Sequence, residues 1–431
     1  MTALKRHLRR LAGLSRNAKL FLLMTAVSGL GSGIFRLFLN LFILARGNDE
    51  AFLGAFMSLV SLSALGLGLP MGVLADRLGR KRSLLLGSLL SNLGVLTVVL
   101  SPLDWPLMAG AVAWGGGNAV YMATGPAFMS ENAAAHERPT LFSTRMGVMM
   151  LVAFAGSVLA GPLPAWFGSL LGYPPESAPA YRVTLLLSAG VMTLSLIPLL
   201  MLHEQRDFEP TEEGLGLSLL SLLRRKDVWR LLVPQLIISL GAGLLIPYLN
   251  IFFKQRFGIS DSVLGFAFGV SQLGMGLATI VAPIFAERWG NVRTIVTSEL
   301  ASLPFLLALG FVPVLPVAVG AFWVRATFMN MGGPLYTAFA MEQADEQERG
   351  KLGAILGLTW SVGRGIGPGI SGVVQQRFGF TPLFLATGAT YLAAALMLQT
   401  FFGRTERSAD ARSVRGASEA GSPAPADDSA R

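Results

Sequence analysis

The chain has no cysteine, only three histidines and little charge: 14% of its 431 residues are Asp, Glu, Lys or Arg. Without cysteine there is no disulfide-stapled scaffold and no iron–sulfur or cysteine-ligated metal site. Three histidines leave little for a histidine cluster. Soluble domains carry about 25% charged residues, so roughly half the usual charge is missing. The sequence also lacks an HExxH pair, a Walker loop and a pair of acids within one apolar stretch, so the common metalloprotease, nucleotide-hydrolysing and acid-pair chemistries have no candidate residues. What is abundant is apolar surface. The chain is 52% hydrophobic, with 50 Gly, 23 Pro and a mean hydropathy of +0.58. That surface must face lipid. A disordered chain and a soluble nucleic-acid binder are both excluded.

A helix needs about 20 apolar residues to cross a bilayer. Twelve such runs follow one another, over 19–44, 52–75, 83–100, 105–130, 141–167, 181–202, 228–253, 263–286, 294–312, 315–341, 352–376 and 382–402. The connections after even-numbered runs, with both termini, hold most of the basic residues, among them Arg77, Arg80, Arg82, Arg138, Arg288, Arg293, Arg349 and Lys351. The opposite connections hold only Arg46, Arg182, Lys254, Arg256 and Arg377. The positive-inside rule then places both termini in the cytoplasm, and the net charge of +9 is topological rather than a sign of nucleic acid. The expected chain is an all-α polytopic plasma-membrane protein. It divides into a cytoplasmic segment 1–18, a six-helix bundle 19–202, a cytoplasmic linker 203–227, a second six-helix bundle 228–403 and a disordered tail 404–431.

The two bundles repeat each other. Gly72-Val-Leu-Ala-Asp76-Arg77-Leu-Gly79-Arg80-Lys81-Arg82 follows run two, and Pro283-Ile-Phe-Ala-Glu287-Arg288-Trp-Gly290-Asn-Val-Arg293 follows run eight. Asp76 and Glu287, Gly79 and Gly290, Arg82 and Arg293, Gly54 and Gly265, Glu131 and Glu342, and Arg138 and Arg349 all lie 211 residues apart. Parallel repeats of six spans are a transporter architecture.

The stretch from Gly72 to Leu84 resembles the cytoplasmic signature between spans 2 and 3 of the major facilitator superfamily. The spacing of Glu131 to Arg138, and of Glu342 to Arg349, resembles that family's second cytoplasmic charge motif. Gly363-Arg-Gly-Ile-Gly367-Pro368 is similar to the kink its drug antiporters carry, although there the motif belongs in span 5. The arginine that many of those antiporters carry in span 4 is absent, Ala113 to Gly117 occupying that stretch. The resemblance implies twelve transmembrane helices in two homologous bundles, with spans 1, 4, 7 and 10 lining a central cavity. It also implies gating by Gly72, Asp76, Arg77, Gly79, Arg80, Arg82, Glu131 and Arg138. Arg145, Glu287, Arg288, Gly290, Arg293, Glu342, Arg349 and Lys351 complete the gating set, with Asp76 choosing between Arg145 and the start of span 11 at Lys351. A solvated loop face is the alternative for these charges.

Three arginines sit inside apolar runs: Arg36, Arg325 and Arg364. An arginine at mid-helix costs about 2.5–3.5 kcal/mol on insertion scales, so such residues mark a pathway or a partner. The family resemblance puts Arg36 and Arg325 on the cavity and Arg364 beside it. Asn40 and Asn250, at repeat-equivalent places, and Asn118 and Asn330 are further candidates, with interhelical hydrogen bonding the equal alternative. Tyr248 and Trp360 read as packing. The apolar runs contain one acid, Glu299, on a span that is peripheral in the family fold. A cavity with net positive charge points to export of an anionic or amphipathic solute. Proton-coupled multidrug efflux, metabolite uptake and a non-transporting sensor are the alternatives. The expected partners are the substrate, the bilayer and a coupling ion or counter-substrate. The chain is expected to act as a monomer without cofactor or metal.

Overall fold

A computed structural model describes residues 14–132, 138–203, 222–346 and 348–420; the side chains at 69, 71–77, 139 and 404–420 lie outside the description. Every regular element among the described residues is helical. The N-terminal bundle comprises α1 (Arg16–Ala45), α2 (Glu50–Leu78), α3 (Arg80–Leu100), α4 (Asp104–Glu131), α5 (Arg138–Ala160), α6 (Leu163–Leu171), α7 (Ala178–Leu194) and α8 (Leu196–Leu200). The C-terminal bundle comprises α9 (Lys226–Leu245), a 3-10 turn (Ile246–Tyr248), α10 (Leu249–Phe257), α11 (Asp261–Trp289), α12 (Asn291–Phe311), α13 (Leu315–Glu342), α14 (Arg349–Phe378) and α15 (Thr381–Ala420). Spans five, six and seven are each broken, span five at Gly161-Pro162 and span seven at Pro247, where the proline removes a helical hydrogen bond. Twelve transmembrane helices result, six to a bundle.

Among the described residues, nine helical stretches are long and apolar enough to cross a membrane by composition alone. The three spans outside that set are α4, α13 and α14, which are as long as the others. They carry the glycine run and Asn118, Arg325 with Asn330, and Arg364 respectively. Helices that spend polar residues on a protein interior need not look like lipid-solvated ones. The last helix continues to Ala420, so the backbone over 404–420 is helical where composition suggests a disordered tail. Its Ala, Arg and Glu residues are good helix formers and extend the turn already nucleated in span twelve.

The repeat is visible in the turns and in the packing. Gly79 and Gly290 stand before α3 and α12 with φ of 89° and 83°, and ψ of 154° and 161°. Side-chain-bearing residues are all but excluded from this region, so the glycine of the signature is a backbone requirement. Helix neighbours match as well. In one bundle α1 packs on α5 and α7, α2 on α4, and α3 on α4; in the other α9 packs on α14 and α15, α11 on α13, and α12 on α13. Across the bundles, α2 packs on α14 and α11 on α5.

These crossings are closest at glycines 211 residues apart. A Cβ on Gly54 would stand 2.7 Å from the Pro368 carbonyl oxygen and 3.0 Å from the Gly372 Cα. Its repeat-equivalent Gly265 would bring one 2.4 Å from the Ser157 oxygen and 2.9 Å from the Gly161 Cα. No side chain fits at either position without moving a helix backbone.

We call the end with the connections α2–α3, α4–α5, α11–α12 and α13–α14 the basic end, and the opposite one the far end. The apolar core is continuous across both bundles at the far end, running through Phe38, Phe42, Phe56, Leu264, Tyr248 and Phe253. Toward the basic end it divides. One core stays in the N-terminal bundle around Phe21, Leu84 and Phe128. The other stays in the C-terminal bundle around Val292, Tyr336 and Phe339. The molecule is closed at the far end and parts toward the basic end.

Candidate functional site

The parted bundles leave a cavity whose wall is set by a few helix faces. On α4, Trp114 meets Phe35 of α1 edge-on with ring centroids 5.0 Å apart, and Tyr121 lies parallel to Phe21 at 6.5 Å. Asn118, between those two on the same helix face, is exposed and has no hydrogen bond among the described residues. Arg36 projects from α1 and Arg364 from α14, each exposed although placed well inside its span. The two belong to opposite bundles and lie within electrostatic reach of each other. Two guanidinium groups facing one space, neither paired with an acid among the described residues, form a site of strong positive potential.

Arg325 is placed differently. Its side chain is 4% exposed, its Nη2 donates to the Tyr391 hydroxyl at 2.8 Å, and its guanidinium lies 5.6 Å from that ring's centre. It therefore sits inside the C-terminal bundle, behind the cavity wall, with Nε lacking a partner. Asn330 is half-buried and donates to the Ala326 carbonyl of its own helix at 2.8 Å.

Asn40 and Asn250 do not reach the cavity. Each is 2% exposed, and they tie the bundles together at the far end. Asn40 Nδ2 donates to the Pro247 carbonyl at 2.6 Å and to Asn250 Oδ1 at 3.2 Å, while Asn250 Nδ2 donates to the Leu37 carbonyl at 2.9 Å. The break at Pro247 frees the carbonyl that Asn40 uses. The structure thus gives both asparagines the interhelical role and corrects their assignment to substrate.

The side-chain hydrogen bonds described for Arg80, Glu131, Arg138, Glu342 and Arg349 each stay within one bundle. Arg80 Nε donates to Glu131 at 3.1 Å, and the repeat-equivalent Asn291 donates to Glu342 at 3.3 Å. Arg138 Nε donates to the Ser130 carbonyl at 3.1 Å, and Arg349 Nε to the Met341 carbonyl at 3.2 Å. So the glutamates do not pair with the arginines seven residues on. They hold the first residue of the neighbouring helix, and the arginines donate to carbonyls in the last turns of α4 and α13, where intrahelical partners run out. Arg82, Glu287, Arg288 and Arg293 are exposed, and Lys351 is half-buried. Arg145 lies 5.8 Å from the Phe21 ring centre in its own bundle. The side chains of Gly72, Asp76 and Arg77 lie outside the described residues, so the expected choice of Asp76 has no geometry here.

Hydrogen bonds joining the bundles among the described residues cluster at the far end, and sequence reading missed them. Lys254 of α10 bonds Glu176 of the opposite bundle and lies 2.7 Å from Asp261 Oδ1. Tyr181 of the N-terminal bundle donates to the same Asp261 oxygen at 3.3 Å. Gln255 reaches Glu50 at 3.1 Å, and Gln376 reaches Asp49 at 2.9 Å. Glu176 has a φ of 64°, uncommon for a residue with a side chain. Lys254 and Asp261, either side of Gly258, were the available signal, but only the fold brings Glu176 to them.

Twelve spans in paired bundles around a polar cavity define a membrane transporter. The sequence profile of the Major Facilitator Superfamily matches residues 21–242 and 231–425. The chain belongs to that superfamily. It is 30% identical over 200 residues to the multidrug resistance protein MdtH of Photorhabdus laumondii, a match covering 44% of this chain and 48% of the relative, about half its length. It is 24% identical to the class H tetracycline resistance protein of Pasteurella multocida, over 80% of this chain and 86% of that one. Among solved structures, a bacterial homologue of the iron transporter ferroportin in an inward-facing state has a TM-score of 0.72 at 16% identity, covering 90% of this chain and 98% of that one. The last likeness shows the fold alone.

Proposed function

We propose that the chain exports an anionic or amphipathic small molecule across the plasma membrane by alternating access. The observation that carries this reading is the pair Arg36 and Arg364, exposed on opposite bundles and within electrostatic reach. An anion between them neutralises a repulsion that the empty cavity must bear, and it gives the two bundles a common ligand. The basic end is then cytoplasmic by the positive-inside rule, and the form described is the one that takes substrate from the cytoplasm. The names of the resistance and efflux relatives support export over uptake.

The test is flux from liposomes containing the purified protein, with a fluorescent anionic amphiphile and ethidium as the two probes. We expect the anion to move, and Arg36→Ala or Arg364→Ala to reduce its flux at least tenfold (about 1.4 kcal/mol at the site) in protein that still folds. Movement of ethidium alone, with a dependence on the pH gradient, overturns this reading in favour of proton-coupled multidrug efflux. The relatives' names favour that second reading.

A further inference from the structure

Helix α12 lies toward the outside of its bundle, yet its one acid turns inward. Glu299 is 6% exposed, and its Oε2 has no hydrogen-bond partner. Its Oε1 is 3.8 Å from where a Cβ on Gly332 of α13 would stand. The charged and titratable groups around it come from each helix packed nearby. From α13 comes Tyr336, and from α15 comes Tyr391; both lie within electrostatic reach of Glu299. Tyr391 in turn feels Arg364 of α14, which feels Arg36 of α1. Glu299 takes part in no ion pair among the described residues.

The hydrogen bonds show which partners are committed. Arg325 gives Nη2 to Tyr391 and not to Glu299. Tyr336 donates its proton to the Leu231 carbonyl. Tyr391 accepts from Arg325, and no acceptor among the described residues takes its own hydroxyl proton. An ionised carboxylate buried without a counter-charge is strongly disfavoured, whereas a neutral carboxyl suits this setting. A carboxyl proton held beside a tyrosine that touches the cavity's electrostatics is a means of coupling.

We propose that Glu299 is a proton-binding site inside the C-terminal bundle, and that its proton and the anion held at Arg36 and Arg364 strengthen each other's binding. The second half rests on the anionic reading above; the first does not. The sign follows from charge. Losing the proton places a negative charge within reach of Tyr391, which itself lies within reach of Arg364, and so weakens the hold on an anion. Linkage makes the effect reciprocal, so the anion also tightens the proton. The solute class this selects is the anion of a weak acid, moving together with one proton.

The experiment uses the full chain in liposomes. Infrared pH-difference spectra should show a protonated-carboxyl band that persists where an exposed glutamate is ionised. The band should vanish in Glu299→Gln and shift in Glu299→Asp, with thermal melts confirming that both fold. A band unchanged in Glu299→Gln overturns the site. Benzoate then serves as the anion probe, its binding read by thermal stabilisation across pH. We expect its affinity to rise several-fold toward low pH, as removal of a negative charge near the anion requires, and to stay flat in Glu299→Gln. Affinity that falls toward low pH overturns the linkage in favour of exchange of proton against anion. Arg364→Ala should lose benzoate and keep the band. Loss of the band with benzoate binding intact, or the reverse, separates a failed proton site from a failed anion site.

Discussion

Lys254 and Glu176 belong to opposite bundles and bond each other at the far end, with Asp261 2.7 Å from the same ammonium. One cation therefore holds an acid of its own bundle and an acid of the other. Opening the far end breaks the contact with Glu176 and leaves Lys254 still paired with Asp261, which limits the cost of the change. Substituting Lys254→Gln or Glu176→Gln should shift the population toward the far-end-open form. Because the chain has no cysteine, Asn118→Cys provides a unique reporter in the cavity. Its labelling by a membrane-impermeant maleimide should rise several-fold from the far side and fall from the basic side. Unchanged labelling in both variants would show that the Lys254–Glu176 pair does not hold the far end closed.

The glycine contacts make a steric counterpart. Gly265→Val places side-chain atoms where the Ser157 carbonyl already stands 2.4 Å from an ideal Cβ. Overpacking of this kind costs about 1–3 kcal/mol. We expect it to fall on the far-end-closed form, so the same reporter should again label from the far side, and Gly54→Val should behave alike. Equal labelling from both sides with a lowered Tm would mean the bundle as a whole is destabilised.

The two turn glycines give a stability prediction that does not involve transport. Gly79→Ala and Gly290→Ala must each adopt a φ above 80° with an extended ψ. The strain is about 1–3 kcal/mol at each site, and similar at both. Thermal melts should show matched decreases. A neutral result at either would show that the α2–α3 or α11–α12 connection relaxes to another turn.

Arg325 and Arg364 should separate cleanly. Tyr391→Phe removes the acceptor of a buried guanidinium, and leaving that donor unsatisfied costs about 1–3 kcal/mol of stability. Arg325→Ala should likewise lower Tm more than affinity. Arg364→Ala should do the opposite, since its guanidinium is exposed to the cavity. Binding isotherms and melts on the same three variants decide between them.

Much of this architecture is legible in the sequence. Run length and basic bias are local, so the twelve spans and their grouping in sixes follow from the chain itself. The constant spacing of Gly54, Gly79 and Glu131 to their partners 211 residues on reflects the repeat, and the structure uses each pair for the same task in both bundles. Asn40 and Asn250 show where that reading stopped. Their equivalence was visible, but whether such a pair faces the cavity or each other depends on the approach of α1 to the break at Pro247.

Composition and spacing along single helices set the lipid-facing character, the two-fold repeat, the turn glycines and the presence of three arginines and one acid inside apolar runs. Which of those charges meet was settled by the packing of the helices. It sent Arg325 behind the wall to Tyr391, left Arg36 and Arg364 facing the open space, and turned Glu299 inward from an outer helix. It also brought Glu176 to Lys254 across the bundle boundary. The physical reason is that rotation of a helix about its axis is set by the packing of its whole face against neighbours. A single polar residue, worth a few kcal/mol, takes whatever direction that packing leaves it.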